Sequence, residues 1–158
     1  MADEILFTVE LEGTEEFVDF LKHVDIGLSG PRLVEAWEAA VGLVAEKVRE
    51  TAPRDLGYLA AGIGEEVTQD GEDLLGIIFS DTFYAPFQER GTYRYFPNID
   101  ALEEWAERHG TTAYVVALAI ARRGIIPLRF FEDALINSED QVVSLIGRVT
   151  GEIIEQGY

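Results

Sequence analysis

The chain opens on an alternation of apolar and polar positions. Ile5, Phe7, Val9 and Leu11 are separated by Leu6, Thr8 and Glu10, and a period of two predicts a half-buried strand. Gly13-Thr14 ends that run. Thr14 can cap a short helix whose first turn carries Glu15 and Glu16, with Phe17, Leu21 and Val24 on its apolar side. Gly27, Gly30 and Pro31 break the chain and start the next helix. Over residues 32–51, Val34, Trp37, Val41, Val44 and Val48 recur at spacings of three and four, the stripe of a helix that buries one side. Glu35, Glu38, Glu46, Arg49 and Glu50 take the other side, and Pro53 stops the helix. The stripe reads first as core and second as a subunit contact.

Gly57 and Gly62 punctuate the next segment. Residues 65–69 and 74–80 predict two strands joined through Asp70-Gly71, a hairpin signal. Leu75, Ile77 and Phe79 line one face of the second strand, and Leu74 and Ile78 on the other call for cover from a helix. Residues 84–92 mix aromatics, a proline, a charged pair and Gly-Thr, which predicts a loop of fixed shape. Asn98 or Asp100 opens a helix to Arg108, with Asp100 and Glu103 as a capping box and Leu102, Trp105 and Ala106 as its apolar positions. Gly110 ends it, and Thr111 or Thr112 caps a helix over 113–123 whose last turn holds Arg122 and Arg123, with Gly124 after it. Pro127 opens the last helical region. Ser138-Glu139-Asp140-Gln141 reads as a second capping box, so a break near Asn137 and a fresh helix to about Gln156 are expected, striped by Val142, Leu145, Ile146, Val149 and Ile153. The expected fold is α+β, a small antiparallel sheet packed against the long helix, with C-terminal helices. It forms one domain over 1–158, in which 1–30 elaborate a core of 31–156.

Charge changes this picture more than composition does. Thirty acidic residues face 12 basic ones, a net of −18, and only Lys22 and Lys47 are lysines. Such a balance opposes general phosphate-backbone binding, which needs neutralising cations. It favours solubility but strains the folded state by self-repulsion unless salt screens it. Acid-rich, lysine-poor surfaces resemble those of proteins from salt-accumulating cells, so a halophilic host and a merely acidic soluble protein both remain open. The chain has no cysteine, which excludes disulfides and thiolate chemistry. The acidic N-terminus lacks the basic region of a signal peptide, and the longest apolar run, 113–121, falls short of the ~20 residues that cross a bilayer. A soluble intracellular protein is expected.

Little in the chain points to catalysis. His23 and His109 sit in no metal-ligand spacing, and neither a glycine-rich phosphate loop nor a nucleophile elbow is present. The acidic pairs Glu15/Glu16, Glu65/Glu66 and Glu103/Glu104 are adjacent in sequence, so their side chains diverge on a helix or strand. No catalytic, cofactor or metal-binding residue is expected, and the protein is not expected to be an enzyme. Tyr93-Arg94-Tyr95-Phe96 is the one aromatic–basic cluster. It can pack within its own loop, meet a neighbouring subunit or stack on nucleic acid, and the net charge ranks those fates in that order.

Three stretches together carry a resemblance: Ala52, Pro53, Asp55, Gly57 and Leu59; Tyr84, Ala85, Glu89, Gly91 and Thr92; and Pro127, Phe130 and Ala134. In this order, over about residues 31–156, the chain resembles the tail-completion, or head–tail joining, family of long-tailed bacteriophages and related archaeal tailed viruses. It departs from that pattern in a longer helix pair between Thr92 and Pro127, and in Arg90 where an aromatic is usual. The resemblance implies a structural virion protein of the neck. Made in the host cytoplasm, it would form a ring homo-oligomer around the DNA channel and contact the connector, tail terminator and tail tube. DNA would pass through without sequence-specific binding, and no membrane, metal or cofactor would be involved. A tail terminator or head-closure protein is the nearest alternative, and a small acidic metal- or ligand-binding domain is one of another class. The motif residues read as structural: Gly57 and Gly91 supply positive φ, while Pro53 and Pro127 fix a helix end and a helix start. Tyr84, Phe87, Phe130 and Phe131 would lock the loop to the last helices. Glu89, if buried, needs a cation or backbone amides, and Arg54 and Arg129 are its expected partners. Tyr93, Arg94, Tyr95 and Phe96 are the candidate subunit interface.

Overall fold

A computed structural model describes residues 7–8, 31–70 and 73–156. The expected helix at residues 14–24 and most of the N-terminal strand lie outside them. The described elements run β1 (Phe7–Thr8), α1 (Pro31–Thr51), α2 (Tyr58–Ala61), β2 (Ile63–Asp70), β3 (Asp73–Ser80), α3 (Ala85–Arg90), a 3-10 turn (Asp100–Leu102), α4 (Glu103–Arg108), α5 (Ala113–Arg123) and α6 (Phe130–Gln156). The fold is α+β. The chain divides into two compact units, one spanning Tyr84–Arg129 and the other holding the sheet with α1 and α6.

In the sheet unit the strands are ordered β1-β3-β2, all antiparallel. β2 and β3 pair from Ile63↔Ser80 to Asp70↔Asp73, and β1 pairs Phe7 with Ile78. Asp70, expected in the turn, therefore stays in the ladder opposite Asp73. Gly76, Ile78 and Ser80 are the buried alternate positions of β3, as the period of a strand requires. Gly76 leaves the gap into which Val41 of α1 fits, since a Cβ there would collide with Val41 Cγ2. The helix cover expected over the Ile78 face is thus α1.

α1 begins at Pro31, whose missing N–H costs nothing in a first turn. At its end, Thr51 Oγ1 donates back to Lys47 O at 2.8 Å, and Pro53 comes two residues later. Its buried face is Leu33, Ala36, Ala40, Val41, Val44, Ala45 and Val48, which corrects the expected stripe. Val34 and Trp37 are only half-buried. Large apolar residues point a sequence reading to one flank, whereas the alanines at 36, 40 and 45 mark the side where neighbours approach closely. One neighbour is α6, antiparallel to α1: Arg32 pairs with Glu152 at 3.1 Å at one end, and Thr51 Oγ1 donates to Phe130 O at 3.2 Å at the other.

α6 corrects a second expectation. No break occurs near Asn137, and one helix runs from Phe130 to Gln156. Ser138 is fully buried, and its Oγ donates to Ala134 O one turn back at 2.7 Å. A serine can bond forward, capping a new helix, or backward within an existing one. Here the apolar seam of Phe130, Phe131, Ala134 and Val142 continues through Ser138, so breaking the helix would expose that seam.

Candidate functional site

Within the Tyr84–Arg129 unit, residues 85–90 are a short helix and not the expected loop. Pro86 lies in its first turn, where no hydrogen bond is lost. Gly91 then turns the chain with φ 70°. The segment after it is clasped by the segment leading out of α5. Thr92 N–H donates to Ile125 O and Ile125 N–H to Thr92 Oγ1, both at 3.0 Å. Leu128 N–H donates to Gln88 O at 2.8 Å and Arg129 N–H to Glu89 O at 3.2 Å.

Two glycines make the clasp possible. A Cβ on Gly91 would lie 2.5 Å from Ile125 O and 2.9 Å from Pro127 N. One on Gly124, at φ 76°, would strike Thr92 O. Both positions lie where side chains are strained, and both face backbone. Gly91, Thr92 and Pro127, taken from two separate sequence motifs, therefore meet at one place. Gly124 completes that place in a role beyond the helix cap expected of it.

The other motif residues serve different ends. Phe130 and Ala134 lie in the buried seam of α6. Gly57, at φ 82°, is the N-cap of α2. With Glu46, Arg49, Arg54 and exposed Asp55 it lines an open hollow of about 590 Å³ next to half-buried Pro53. Ala85 is fully buried and Tyr84 half-buried. Glu89 is 3% exposed, and no buried side-chain polar atom among the described residues lacks a partner. Arg49 pairs with Glu46 at 3.5 Å and also with Glu65, so this cation of the hollow is already engaged. Among the described residues no group of three or more His, Asp or Glu is placed to hold a metal ion, and no helix is long and apolar enough to cross a membrane.

The aromatic–basic cluster does not pack within its loop. Tyr93 is 97% exposed, and Arg94, Tyr95 and Phe96 are exposed too. The segment is held at its two ends, by the clasp at Thr92 and by Asn98 Oδ1, which accepts from Asp100 N–H at 3.1 Å. That last bond also replaces the expected Asp100–Glu103 capping box, which does not form. Phe87, expected to lock the loop down, is exposed, and so is Trp105, which stacks on His109 with centroids 4.0 Å apart.

No family model, curated protein or solved structure matches this chain. The surface of the Tyr84–Arg129 unit must then be read by its own chemistry. Among the described residues, nine of the 14 exposed large hydrophobic residues lie in this unit, which is under a third of the chain. It also holds six arginines against five carboxylates, a net of +1. The remaining six cations share the rest of the chain with 25 acidic residues, a net of −19. Taking the charge as one number hides this segregation, which a segment-by-segment count of the sequence reveals.

Arg122 and Arg123, expected only as helix-end charges, are exposed. The clasp sets their neighbour Gly124 against Thr92 and Tyr93, whose carbonyl carbon would lie 3.1 Å from a Gly124 Cβ. Val115 and Arg122 share one face of α5, because residues seven apart lie on one side of a helix. The aromatic loop and the segment that follows the two arginines thus meet at Gly124.

Proposed function

We propose that this protein is a structural component of the neck of a tailed virus, a tail-completion or head-to-tail joining protein that assembles as a ring around the DNA channel. Its neck position rests on the motif resemblance. The observation that carries assembly is the concentration of exposed aromatic and aliphatic side chains in the Tyr84–Arg129 unit, because monomers rarely leave large apolar patches uncovered. A heterologous contact that repeats must close on itself to avoid a filament, which suits a ring. The work of the protein is binding: Tyr93, Arg94, Tyr95 and Phe96 meet neighbours. The net charge of −18 gives a channel wall that repels phosphates and lets the genome slide.

Light scattering after size exclusion, in low and then multimolar salt, with negative-stain images of any large species, tests this reading. A ring with an axial hole is the expected result, and its appearance only in high salt would add support for a halophilic host. A monomer at every salt concentration that binds a metal ion or small ligand in the hollow beside Arg49 would replace the neck with a ligand-binding domain.

A further inference from the structure

Four of the six arginines in the Tyr84–Arg129 unit, namely Arg90, Arg94, Arg122 and Arg123, form no ion pair among the described residues. Only five carboxylates share their unit, so these exposed cations are open to a partner of opposite charge. Exposed Ile126 follows Arg122 and Arg123 on one segment, and the backbone of exposed Tyr93 lies against Gly124 between them. The patch therefore combines apolar side chains with cations.

The converse surface lies on α6. Opposite its buried seam, Ile136 and Val143 are exposed, seven residues apart and so on one face. Asp133 and Asp140 flank them on one side, and Glu132 and Glu139 on the other, at the same spacing of seven. Asp133, Glu139 and Asp140 form no ion pair among the described residues. The face is an apolar stripe between two acidic rows, the complement in both respects of the aromatic–arginine patch.

We propose that the outer face of α6 in one copy docks on the Tyr93–Arg122–Arg123–Ile126 patch of the next copy, a head-to-tail contact. The occupant is a second copy because this chain itself carries the complementary charge. Two copies at −18 each repel at long range, but screening shortens that repulsion to about 8 Å at physiological salt. Within that distance the arginines and carboxylates of the contact attract. A head-to-tail contact leaves one patch and one α6 face open at the ends, so it propagates until it closes. The contact rests on the proposed self-assembly and names its two faces.

Charge exchange tests it. One variant carries Arg122→Glu and Arg123→Glu; a second carries Glu139→Arg and Asp140→Arg. All four positions are exposed, and circular dichroism of each variant checks its folding. Sedimentation velocity should show that each variant alone self-associates at least about tenfold more weakly than the parent. Mixed in equal amounts they should recover assembly, because every contact then joins opposite charges. A chain carrying all four changes should recover it alone. Lys47→Glu with Arg54→Glu adds the same negative charge as the first variant at residues outside both faces and should leave assembly within about threefold of the parent.

Assembly of the first two variants at parental strength would overturn the head-to-tail contact while leaving the ring in place. Variants that stay monomeric when mixed would overturn it too, since the arginines would then matter for another reason. Loss of binding to a double-stranded DNA oligonucleotide with unchanged self-association would assign the arginines to phosphate. A parent protein that is monomeric at every salt concentration would remove both the contact and the self-assembly it rests on.

Discussion

The two units hold themselves together in opposite ways. In the sheet unit the buried hydrophobic positions include Leu33, Val41, Val48, Ile78, Phe130 and Phe131. In the Tyr84–Arg129 unit every buried hydrophobic residue is an alanine: Ala85, Ala106, Ala113 and Ala117. Its large apolar side chains are half-buried, such as Leu102, Leu118 and Ile120, or exposed, and main-chain hydrogen bonds join its two glycine-bearing segments. Area removed from water is the main source of folding free energy. A unit that leaves Tyr93, Tyr95, Phe96 and Trp105 exposed has forgone part of that source, and the proposed assembly would recover it. The difference separates a scaffold from the proposed contact surface, and four substitutions test it.

The largest effect belongs to the scaffold. Phe130 is 2% exposed and its ring lies 5.0 Å from that of Phe131. Phe130→Ala should cost about 3–5 kcal/mol in urea unfolding, the usual range for an aromatic removed from a core. A loss below about 1 kcal/mol would mean that the sheet unit is no better packed than its neighbour.

Next comes the clasp. Gly124→Ala places a Cβ against Thr92 O at a positive φ that alanine resists. The strain alone should cost about 1–3 kcal/mol, and the loss should be local. Hydrogen exchange should accelerate at the amides of Thr92, Ile125 and Leu128, while those of α1 and β3 keep their protection. Equal acceleration in both units would show that the clasp supports the whole chain and would weaken the contrast between scaffold and contact surface.

A smaller effect on folding, but not on assembly, is expected at the surface. Tyr93→Ala removes a ring that is 97% exposed, so stability should stay within about 0.5 kcal/mol of the parent. Self-association measured by sedimentation should fall, because aromatic rings at the centre of a contact carry much of its free energy. Stability that drops with Tyr93 would place the ring in a core and remove it from the interface.

Legibility in the sequence divides along the same line. Periodicity, glycine and hydroxyl signals act locally, and they predict α1, β2, β3 and α5, the positive φ at Gly57 and Gly91, and a cap at Thr111 or Thr112. Thr112 Oγ1 does accept from Val115 N–H. The buried face of α1 is displaced from its expected position, because alanine is quiet on any hydrophobicity scale yet decides where backbones approach. The exposure of Tyr93, Tyr95 and Phe96 escapes a sequence reading for the converse reason: an aromatic reads as core unless its surroundings offer no layer to enter. The clasp is out of reach, since it joins residues more than 30 positions apart and local signals carry no such pairing.

Ser138 supplies the smallest effect and the closest test of that lesson. Ser-x-x-Gln at 138–141 has the form of a capping box, and the sequence cannot say which way the serine bonds. If Ser138 capped a new helix, Ser138→Ala would cost about 1 kcal/mol. In the continuous α6 its Oγ donates to Ala134 O, a carbonyl in the middle of an unbroken helix, where such a bond is nearly redundant. Alanine also favours the helix interior by about half a kcal/mol, and at a fully buried position it leaves only a hydroxyl-sized gap. Ser138→Ala should therefore change unfolding free energy by less than about 0.5 kcal/mol in either direction. Helix content by circular dichroism should not fall. A cost near the capping value would divide α6 at Asn137, and with it the straight outer face on which Ile136 and Val143 share a side.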